Sequence, residues 1–288
     1  MRVLLLGAGG MLARDLEAAA PRDVQVVPCT HAQLDVTDDR ALEQAVLRSR
    51  PDVVVNAAAY NDVEEAETNS ALAWAVNGAA PGVVGRAAAA VGARVVHYST
   101  DFVFDGENRT PYREDAAAHP VNLYGKSKLQ GEVNLRQSGA EHLIIRTQWL
   151  FGRDGHSFPR TMWERAVQRL PTRVVSDQTG RPTYTGHLAQ VTWKLIAADV
   201  TGIVHVANAG VATWYDVAKR VFHAAGADDL VTPCTTAEYP TRARRPAWSV
   251  LDTSRAEAIL GGPLPHWETG LGEFLRAQST EQGAQSSS

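Results

Sequence analysis

The 288-residue sequence predicts an α/β fold: a doubly wound parallel sheet followed by a smaller, mixed C-terminal lobe. In the first half, short apolar runs rich in β-branched residues alternate with stretches of helical character. Continuous apolar strands between helices are typical of a parallel sheet that is covered on both faces. After about residue 151, glycine, proline, tryptophan and arginine become denser and the alternation fades. We therefore expect one domain at 1–150 and a second at 151–277, whose chain can interleave with the first.

The individual elements follow from the same alternation. The apolar runs predict strands at Val3–Leu6, Val24–Val27, Val53–Val55, Val95–Tyr98 and His142–Ile145. The stretches between them predict helices at Leu12–Ala20, Ala41–Ser49, Ala71–Val91 and Tyr124–Gln137. Acidic residues favour a helix N-terminus, and the second helix is preceded by Thr37, Asp38 and Asp39. In the second half we expect a strand at Ile203–Val206 and helices at Phe158–Leu170, Leu188–Ala198, Trp214–Ala225 and Leu271–Ala277.

The bulk composition excludes several classes of function. A net charge of −4 gives no overall field to recruit nucleic acid or a membrane surface, and no apolar run is as long as a membrane span. Cys29 and Cys234 lie far apart without metal-ligand spacing, which argues against a disulfide framework and favours the reducing cytoplasm. The nine histidines show no such spacing either, so no metal site is expected. A homodimer is compatible with the sequence.

The two ends of the chain need separate interpretation. Residues 1–6 have one basic residue and a short apolar stretch, as a stunted signal peptide would. Because that stretch runs into a glycine-rich turn and not a cleavage site, we interpret it as the first strand. Residues 278–288 are rich in serine and glutamine with almost no apolar content, which predicts a disordered tail.

The glycine-rich turn after the first strand predicts a nucleotide site. Gly7, Gly10 and Ala13 follow a G-x-x-G-x-x-A spacing between a strand and a helix, the context that a Rossmann-like fold requires. The first glycine permits the tight turn, and the second lets the backbone approach a pyrophosphate at the helix N-terminus. We assign Gly7, Gly10, Met11 and Leu12 to cofactor binding. A plain glycine-rich turn is the alternative.

The end of the second strand bears on which nicotinamide cofactor binds. An acid there would bind the ribose 2′-hydroxyl of NAD, but the segment ends in Thr30 and His31 without a carboxylate. This favours NADPH and leaves NADH possible, since no arginine is present to hold a 2′-phosphate. Asp35, beside Val36, either hydrogen-bonds an adenine amino group or helps to begin the next helix. We assign both residues to cofactor binding.

Small residues follow the third strand, in Asn56-Ala57-Ala58-Ala59-Tyr60. Alanines at the carboxyl end of a strand leave room for a flat cofactor, because the binding crevice of such sheets lies outside the strand ends. Ala58, Ala59 and Tyr60 are therefore candidate cofactor contacts. Ordinary core packing is the alternative.

Tyr124 and Lys128 are the strongest chemical signal. They lie one helical turn apart, so their side chains project from the same face, and Thr100 and Asp101 precede them after the fourth strand. An ammonium near a phenol stabilises the phenolate and lowers the phenol's pKa, which makes the tyrosine a usable proton donor or acceptor. Alone, this spacing would more simply be an exposed helix pair. With a nucleotide-binding turn, it predicts nicotinamide-dependent oxidation or reduction at a carbonyl or alcohol.

These motifs resemble the extended short-chain dehydrogenase/reductases that act on nucleotide sugars; they are Gly7-x-x-Gly10, Asn56-Ala57-Ala58-Ala59-Tyr60, Ser99-Thr100-Asp101-Phe102-Val103-Phe104-Asp105-Gly106 and Tyr124-x-x-x-Lys128. Further motifs narrow the resemblance to dTDP-4-dehydrorhamnose reductases, over about residues 1–276; they are Arg146-Thr147-x-Trp149, Asp177-Gln178-x-Gly180-x-Pro182-Thr183 and Arg245-Pro246-Ala247-x-Ser249-x-Leu251-Asp252.

The resemblance implies a role for each matching residue. Tyr124 would be the proton donor to the C4 carbonyl of the sugar, and Lys128 would hold the nicotinamide ribose and lower the pKa of Tyr124. Thr100 would hydrogen-bond the reacting oxygen, and Asp101 and Trp149 would contact the sugar. The sequence departs from many relatives in having phenylalanine after Asp101, where they carry tyrosine; we keep Phe102 as a substrate-binding residue without a hydroxyl.

Two further residues have support from their chemistry alone. Trp149 follows a strand and offers a flat apolar face to a hexose ring, although ordinary packing explains it equally well. Arg242, Arg244 and Arg245 lie within four residues, and arginine forks suit the oxygens of a diphosphate. A solvated basic turn is the alternative. We expect Arg245 to hold the nucleotide end of a dTDP-sugar in the C-terminal lobe.

The resemblance therefore implies NADPH-dependent reduction of the C4 keto group of dTDP-4-dehydro-L-rhamnose, or of a close dTDP-4-keto-6-deoxysugar. A nucleotide-sugar epimerase or dehydratase shares the fold, but such dehydratases typically carry Asp-Glu after the threonine, whereas Thr100 is followed by Asp101 and Phe102. A non-catalytic alternative resembles the regulatory subunit of methionine adenosyltransferase. A reductase for another sugar is also compatible with the sequence.

Overall fold

A six-stranded parallel sheet forms the centre of the molecule in a computed structural model, which describes residues 1–285, with side chains to residue 280. Its strands in chain order are β1 (Arg2–Ala8), β2 (Gln25–Thr30), β3 (Val53–Asn56), β4 (Arg94–Thr100), β5 (His142–Thr147) and β10 (Gly202–His205). Their spatial order is β10-β5-β4-β3-β1-β2, and every neighbouring pair is parallel. The predicted doubly wound sheet is thereby confirmed.

The helices of the first half cover both faces of this sheet. They are α1 (Met11–Ala18), α2 (Asp39–Ser49), α3 (Val63–Ala66), α4 (Ser70–Ala73), α5 (Ala80–Val91) and α6 (Leu123–Arg136). Val3 and Leu5 of β1 belong to one buried cluster, whereas Leu4 and Leu6 belong to the cluster on the opposite face. Successive strand residues point to opposite faces, so a strand that is buried on both sides must be continuously apolar.

The predicted helix Ala71–Val91 is wrong in its middle. A π-helical segment, Trp74–Ala79, lies between α4 and α5. Within it, the Asn77 side chain turns toward Tyr60 and bonds both its backbone N–H and its carbonyl, at 2.9 and 3.0 Å. A Cβ at Gly131 would collide with the Asn77 carbonyl oxygen, so the two helices approach closely here. These contacts account for the widened turn, which helical spacing alone does not predict.

The C-terminal lobe has its own core and short strand pairs. Its elements are β6 (Leu150–Phe151), α7 (Phe158–Val167), β7 (Thr172–Val175), β8 (Thr179–Gly180), β9 (Thr183–Tyr184), α8 (Thr185–Ala197), β11 (Ala212–Thr213), α9 (Trp214–Ala224), β12 (Val231–Cys234), α10 (Ser254–Leu260) and α11 (Trp267–Gln285). The pairs β6–β9 and β7–β12 are parallel, and β8–β11 is antiparallel. Buried Phe151, Trp163, Phe222 and Phe274 anchor this core.

The chain passes between the two parts more than once. The predicted strand Ile203–Val206 corresponds to β10, which joins the central sheet beside β5. Helix α8 contributes Leu188 and Leu195 to the buried cluster that also contains residues of α1. A boundary at residue 150 therefore does not divide the chain into two continuous domains. Without β10, strand β5 would be an unpaired edge of the sheet.

The predicted disordered tail needs correction over most of its length. Helix α11 continues through residue 285, and Gln278 within it is 4% exposed. Extending an existing helix costs little once its first turns are packed, so a polar sequence can follow them. Residues 286–288 of the expected tail lie outside the described residues. In the part of the chain that the structure describes, no helix is both long and apolar enough to cross a membrane.

Candidate active site

A cleft of about 410 Å³ lies beyond the carboxyl ends of β1, β3, β4 and β5. It brings together most of the predicted site residues: Gly10, Met11, Leu12, Ala58, Ala59, Thr100, Asp101, Phe102, Tyr124, Lys128, Trp149 and Arg245. Four others lie outside its lining: Gly7, Asp35, Val36 and Tyr60. The parallel strands end at this edge, which explains why residues distant in sequence meet here.

The glycine-rich turn is shaped to admit a phosphate group. Gly7 has φ +78°, and a Cβ there would lie 2.6 Å from the backbone nitrogen of Ala58, so only glycine fits. Gly9 also has positive φ but faces open space. Gly10 caps α1 without a side-chain hydrogen bond, and the first turn carries no acid. Its free N–H groups and dipole suit an anion, so the turn fits the pyrophosphate of a dinucleotide.

The alanine segment after β3 is held by hydrogen bonds from two asparagines. Asn56 accepts from the N–H of Ala58 at 3.2 Å, and Asn77 fixes the backbone of Tyr60 from the π-helical segment. Asn77 also donates to Ser127, the residue next to Lys128, at 3.2 Å. It thus connects the segment that faces the cofactor cleft to helix α6. Sequence reasoning missed it, although an asparagine within an apolar helical stretch was a usable signal.

The residues after β2 are engaged locally. Thr30 donates its hydroxyl to Gln33, and one Asp35 oxygen accepts from the N–H and hydroxyl of Thr37 at 2.9 and 2.7 Å. These bonds lower the pKa of Asp35. The N-cap of α2 is Asp38, which accepts from the N–H of residue 41, so Asp35 itself does not begin the helix.

Helix α6 carries Tyr124 and Lys128 into the cleft. A Cβ at Gly125 would collide with the carbonyl oxygen of Phe102, so the helix packs directly on the turn that follows β4. Lys128 is 3% exposed and donates from Nζ to the carbonyl of Tyr98 at 2.6 Å. Burial lowers the pKa of Lys128 to about 8, while the charge of Glu132 opposes the shift.

The expected effect of Lys128 on Tyr124 is not found. Burial raises the pKa of the Tyr124 phenol well above its ordinary value. The Thr100 hydroxyl partly offsets this shift, and the nearby Asp101 carboxylate adds to it. The ammonium of Lys128 instead donates a hydrogen bond to the carbonyl oxygen of Tyr98. The one-turn spacing therefore places both side chains on the same face of α6, but Lys128 does not lower the pKa of Tyr124. Tyr124 therefore stays protonated at neutral pH, as a proton donor must be, although the raised pKa makes it a weaker acid.

The turn after β4 presents a hydroxyl, a carboxyl and an aromatic ring. Thr100 Oγ1 donates to Asp101 Oδ1 at 3.0 Å and accepts from the N–H of Phe102 at 3.1 Å. Asp101 is 2% exposed, and burial raises its pKa to about 7. The Phe102 ring packs edge-on against Tyr124, with centroids 5.8 Å apart. This gives the reacting region an apolar wall.

A buried ion pair lies behind these groups. Glu132 accepts from Ser99 Oγ at 2.5 Å and from Arg146 Nε and a terminal nitrogen at 2.9 and 2.7 Å. Glu132 and Arg146 are almost fully buried, and removing one partner would leave an uncompensated charge. Glu132 lies one helical turn after Lys128. This spacing could have indicated from the sequence that Glu132 faces the same side of α6.

Trp149 stacks on Trp214 and forms an aromatic wall of the cleft. Their rings are nearly parallel, at 9°, with centroids 3.6 Å apart. Trp149 has φ +50°, and a Cβ at Gly180 would lie 2.6 Å from its ring, so that glycine makes room for it. Trp214 begins α9 and was missed, because nothing in the local sequence places it beside Trp149.

Arg245 connects this cleft to a second pocket of about 720 Å³ in the C-terminal lobe. The second pocket also includes Met162, Arg173 and Tyr239, and Trp214 borders both. It therefore offers cations and apolar surface next to the cleft. Among the residues that the structure describes, no group of three or more His, Cys, Asp or Glu could hold a metal ion.

The chain is similar to several known proteins. Residues 1–280 match the family model described as RmlD substrate binding domain. The chain is 42% identical over 285 residues to the probable dTDP-4,6-dihydroxy-2-methyloxan-3-one 4-ketoreductase of Streptomyces antibioticus, covering 95% of this chain and 94% of that protein. It is 40% identical over 281 residues to the dTDP-4-dehydrorhamnose reductase of Mycolicibacterium smegmatis, covering 96% and 85%. The crystal structure of the Bacillus anthracis dTDP-4-dehydrorhamnose reductase in complex with NADP has a TM-score of 0.91 at 34% identity, covering 95% of this chain and 98% of that one.

Proposed function

Because the chain belongs to the RmlD substrate binding domain family, we propose that it is an oxidoreductase that reduces the C4 keto group of a dTDP-4-keto-6-deoxysugar with NADPH. The substrate is dTDP-4-dehydro-L-rhamnose, giving dTDP-L-rhamnose, or a close dTDP-sugar such as the one named for the Streptomyces antibioticus relative. The observation that carries the proposal is the meeting of Thr100, Tyr124 and Lys128 in one cleft beside the glycine-rich turn.

The chain's own residues supply binding and proton transfer. Gly7, Gly10 and the N–H groups of α1 hold the pyrophosphate, and Lys128 holds the nicotinamide ribose. NADPH, when bound, supplies the hydride to the carbonyl carbon. Tyr124 is protonated at neutral pH and donates its phenolic proton to the carbonyl oxygen as charge develops there.

The sugar nucleotide extends from the cleft into the C-terminal pocket. The stacked Trp149 and Trp214 give an apolar face for the hexose ring. Arg245 and Arg173 supply cations for the diphosphate, and Tyr239 with the apolar lining supports the thymine end. We assign the nucleotide to the C-terminal lobe because Arg245 lines both the reaction cleft and the C-terminal pocket.

The other readings have less support from the site. A dehydratase needs a second acid or base beside Asp101, whereas Phe102 presents an apolar ring against Tyr124. A non-catalytic nucleotide-binding subunit has no need for the Thr100, Tyr124 and Lys128 arrangement.

The test is NADPH oxidation by the purified protein with the dTDP-4-keto sugar generated in situ and the product identified. We expect NADPH consumption in step with formation of a dTDP-6-deoxysugar. The dTDP-sugar named for the Streptomyces antibioticus relative, tested in parallel, separates the two substrates that the relatives' names suggest. If the protein bound NADPH but oxidised it with neither sugar, the non-catalytic reading would replace the proposal.

A further inference from the structure

Asp101 is a buried carboxyl group with a free oxygen in the reaction cleft. It is 2% exposed and lines the cleft at the end of β4. Its Oδ1 accepts from the Thr100 hydroxyl at 3.0 Å, and among the described residues its Oδ2 has no hydrogen-bond partner. A buried polar atom without a partner is costly, so its retention in a reaction cleft calls for a role.

We propose that Asp101 is the proton source that restores Tyr124 after each reduction, with the Thr100 hydroxyl as the relay between them. This inference rests on the proposed reductase function and goes beyond a substrate contact. The geometry supports this path because Thr100 is hydrogen-bonded to Asp101, and Thr100, Asp101 and Tyr124 line the same cleft. The Thr100 hydroxyl also lowers the pKa of the Tyr124 phenol.

The proton steps balance without any further reactant. The Tyr124 O–H bond breaks as its proton moves to the substrate oxygen, which leaves a phenolate. The Thr100 hydroxyl gives its proton to that phenolate and takes one from the Asp101 carboxylic acid. Asp101 is left as a carboxylate and regains a proton from water after the product leaves. No electrons move in these steps.

The electrostatics agree with this direction of transfer. Burial raises the pKa of Asp101 to about 7, so a substantial share of the molecules carries the acid form at neutral pH. An Asp101 carboxylate raises the pKa of Tyr124 and would oppose phenolate formation. Protonation of Asp101 therefore supplies the proton that Thr100 passes to Tyr124. It also removes the negative charge that disfavours the Tyr124 phenolate.

The other titratable or charged side chains in the cleft are Tyr98, Tyr124, Lys128, His156 and Arg245. Tyr98 shares a hydrogen bond with Thr192 at 2.9 Å, and Lys128 donates to the Tyr98 carbonyl. Arg245 is paired with Glu64. His156 is an exposed loop residue in the same lining, and its substitution serves as the matched control.

The first test is the pH dependence of sugar reduction by Asp101→Asn. The amide can still bond Thr100 but cannot release a proton. In the wild-type protein, kcat should fall as pH rises through about 7. In D101N, kcat at pH 6 should be lower by roughly a hundredfold, the lower end of the usual range for a lost proton donor, and the decline near pH 7 should be absent. KM for the sugar should change by less than about threefold, on the order of half a kcal/mol.

Two variants separate a relay from a structural effect. Thr100→Ser keeps the hydroxyl and should retain the decline near pH 7, whereas Thr100→Val should lose it. His156→Asn should also retain it. The proposal is overturned if D101N keeps the wild-type decline, if H156N removes it, or if D101N raises KM while kcat is unchanged.

The second test needs neither cofactor nor turnover. Carbon-13 NMR of aspartate carboxyls in the cofactor-free protein, assigned by the signal that D101N removes, should show Asp101 titrating near pH 7. Titration below about pH 5, nearer the ordinary value, would leave no proton to donate at neutral pH and would overturn the proposal. If the wild-type protein reduced no dTDP-4-keto sugar, the proposed function would fail, while this titration would still decide the state of Asp101.

Discussion

Arg245 donates a hydrogen bond to Glu64 at 2.5 Å, which joins the C-terminal segment to the short helix α3 of the first domain. The other Glu64 oxygen accepts from the backbone N–H of Arg242 at 2.8 Å. The guanidinium that sequence alone assigned to a diphosphate thus already has a carboxylate partner. A bound diphosphate must share this arginine with Glu64 or displace the carboxylate from it.

Removing Arg245 should weaken substrate binding more than cofactor binding. A charged hydrogen bond is worth about 1.5–3 kcal/mol, so Arg245→Ala should raise KM for the dTDP-sugar roughly ten- to a hundredfold. Glu64→Gln should lower KM, because it removes the competing charge. Steady-state kinetics alongside NADPH titration would check both. Arg244→Ala is the matched control, since Arg244 is exposed and does not border the cleft. A weakened NADPH affinity with an unchanged sugar KM would contradict the assignment.

Tyr124→Phe should abolish most turnover while leaving NADPH binding nearly intact. The phenol supplies the proton, and general acids contribute typically about 10²–10⁴-fold. The ring and its edge contact with Phe102 can remain, so the fold should be unaffected. Single-turnover kinetics and a fluorescence titration of NADPH would measure the two effects. A wild-type kcat in this variant would rule out Tyr124 as the proton donor.

Lys128→Ala should damage both cofactor affinity and rate, because Lys128 is assigned to hold the nicotinamide ribose beside Tyr124. Burial lowers the pKa of Lys128 to about 8, so NADPH binding to the wild-type protein should weaken as pH rises above about 8 and the ammonium loses its proton. Lys126→Ala is the control on the same helix, since Lys126 is exposed. If K128A bound NADPH and turned over as the wild type does, the four-residue spacing of Tyr124 and Lys128 would have no functional meaning.

NADPH should outperform NADH by a modest ratio. The chain after β2 carries neither an acid that would repel the 2′-phosphate nor an arginine that would bind it, and Thr30 is already bonded to Gln33. Comparing kcat/KM for the two cofactors decides the matter. A strong preference for NADH would show that this interpretation of Thr30 and His31 is wrong.

The stability of the protein should depend on Asp101 in a predictable direction. Its pKa is 3.8 ordinarily and about 7 in the folded state, so folding binds a proton between these values, and wild-type stability falls as pH rises through this window. The full loss is on the order of 4 kcal/mol above pH 7. D101N should therefore have a higher Tm than the wild type at pH 8 and a similar one near pH 4.

Asp105→Asn should change the pH dependence of Tm in the opposite direction, because the pKa of Asp105 is lowered in the folded state. The Tyr112 hydroxyl donates to Asp105 at 2.6 Å and lowers the pKa of that carboxyl. Its stabilisation is present above the ordinary pKa and is lost as pH falls through the folded one. D105N should consequently lower Tm at neutral pH. Thermal melts of all three proteins at several pH values would test both signs, and a D101N melt parallel to the wild type at every pH would contradict the buried-acid account.

The sequence predicted the features that depend on local pattern. Two-sided burial makes β1 continuously apolar, Gly7 is required by its positive φ, and the motifs identified a family resemblance that the match over residues 1–280 confirms. It could not predict which carbonyl Lys128 reaches, since Tyr98 lies thirty residues earlier and on another element. Trp214 was missed for the same reason, because its place beside Trp149 is set by packing between lobes.

The return of the chain to the central sheet makes the two parts of the molecule one folding unit. A fragment that stopped after β5 would lack β10 and α8, leaving one edge of β5 unpaired and removing Leu188 and Val204 from the core. Such an open apolar edge would pair with other chains and aggregate. The intact protein should unfold in a single cooperative transition, and the cleft should open by movement of loops and side chains because no single hinge joins the two parts.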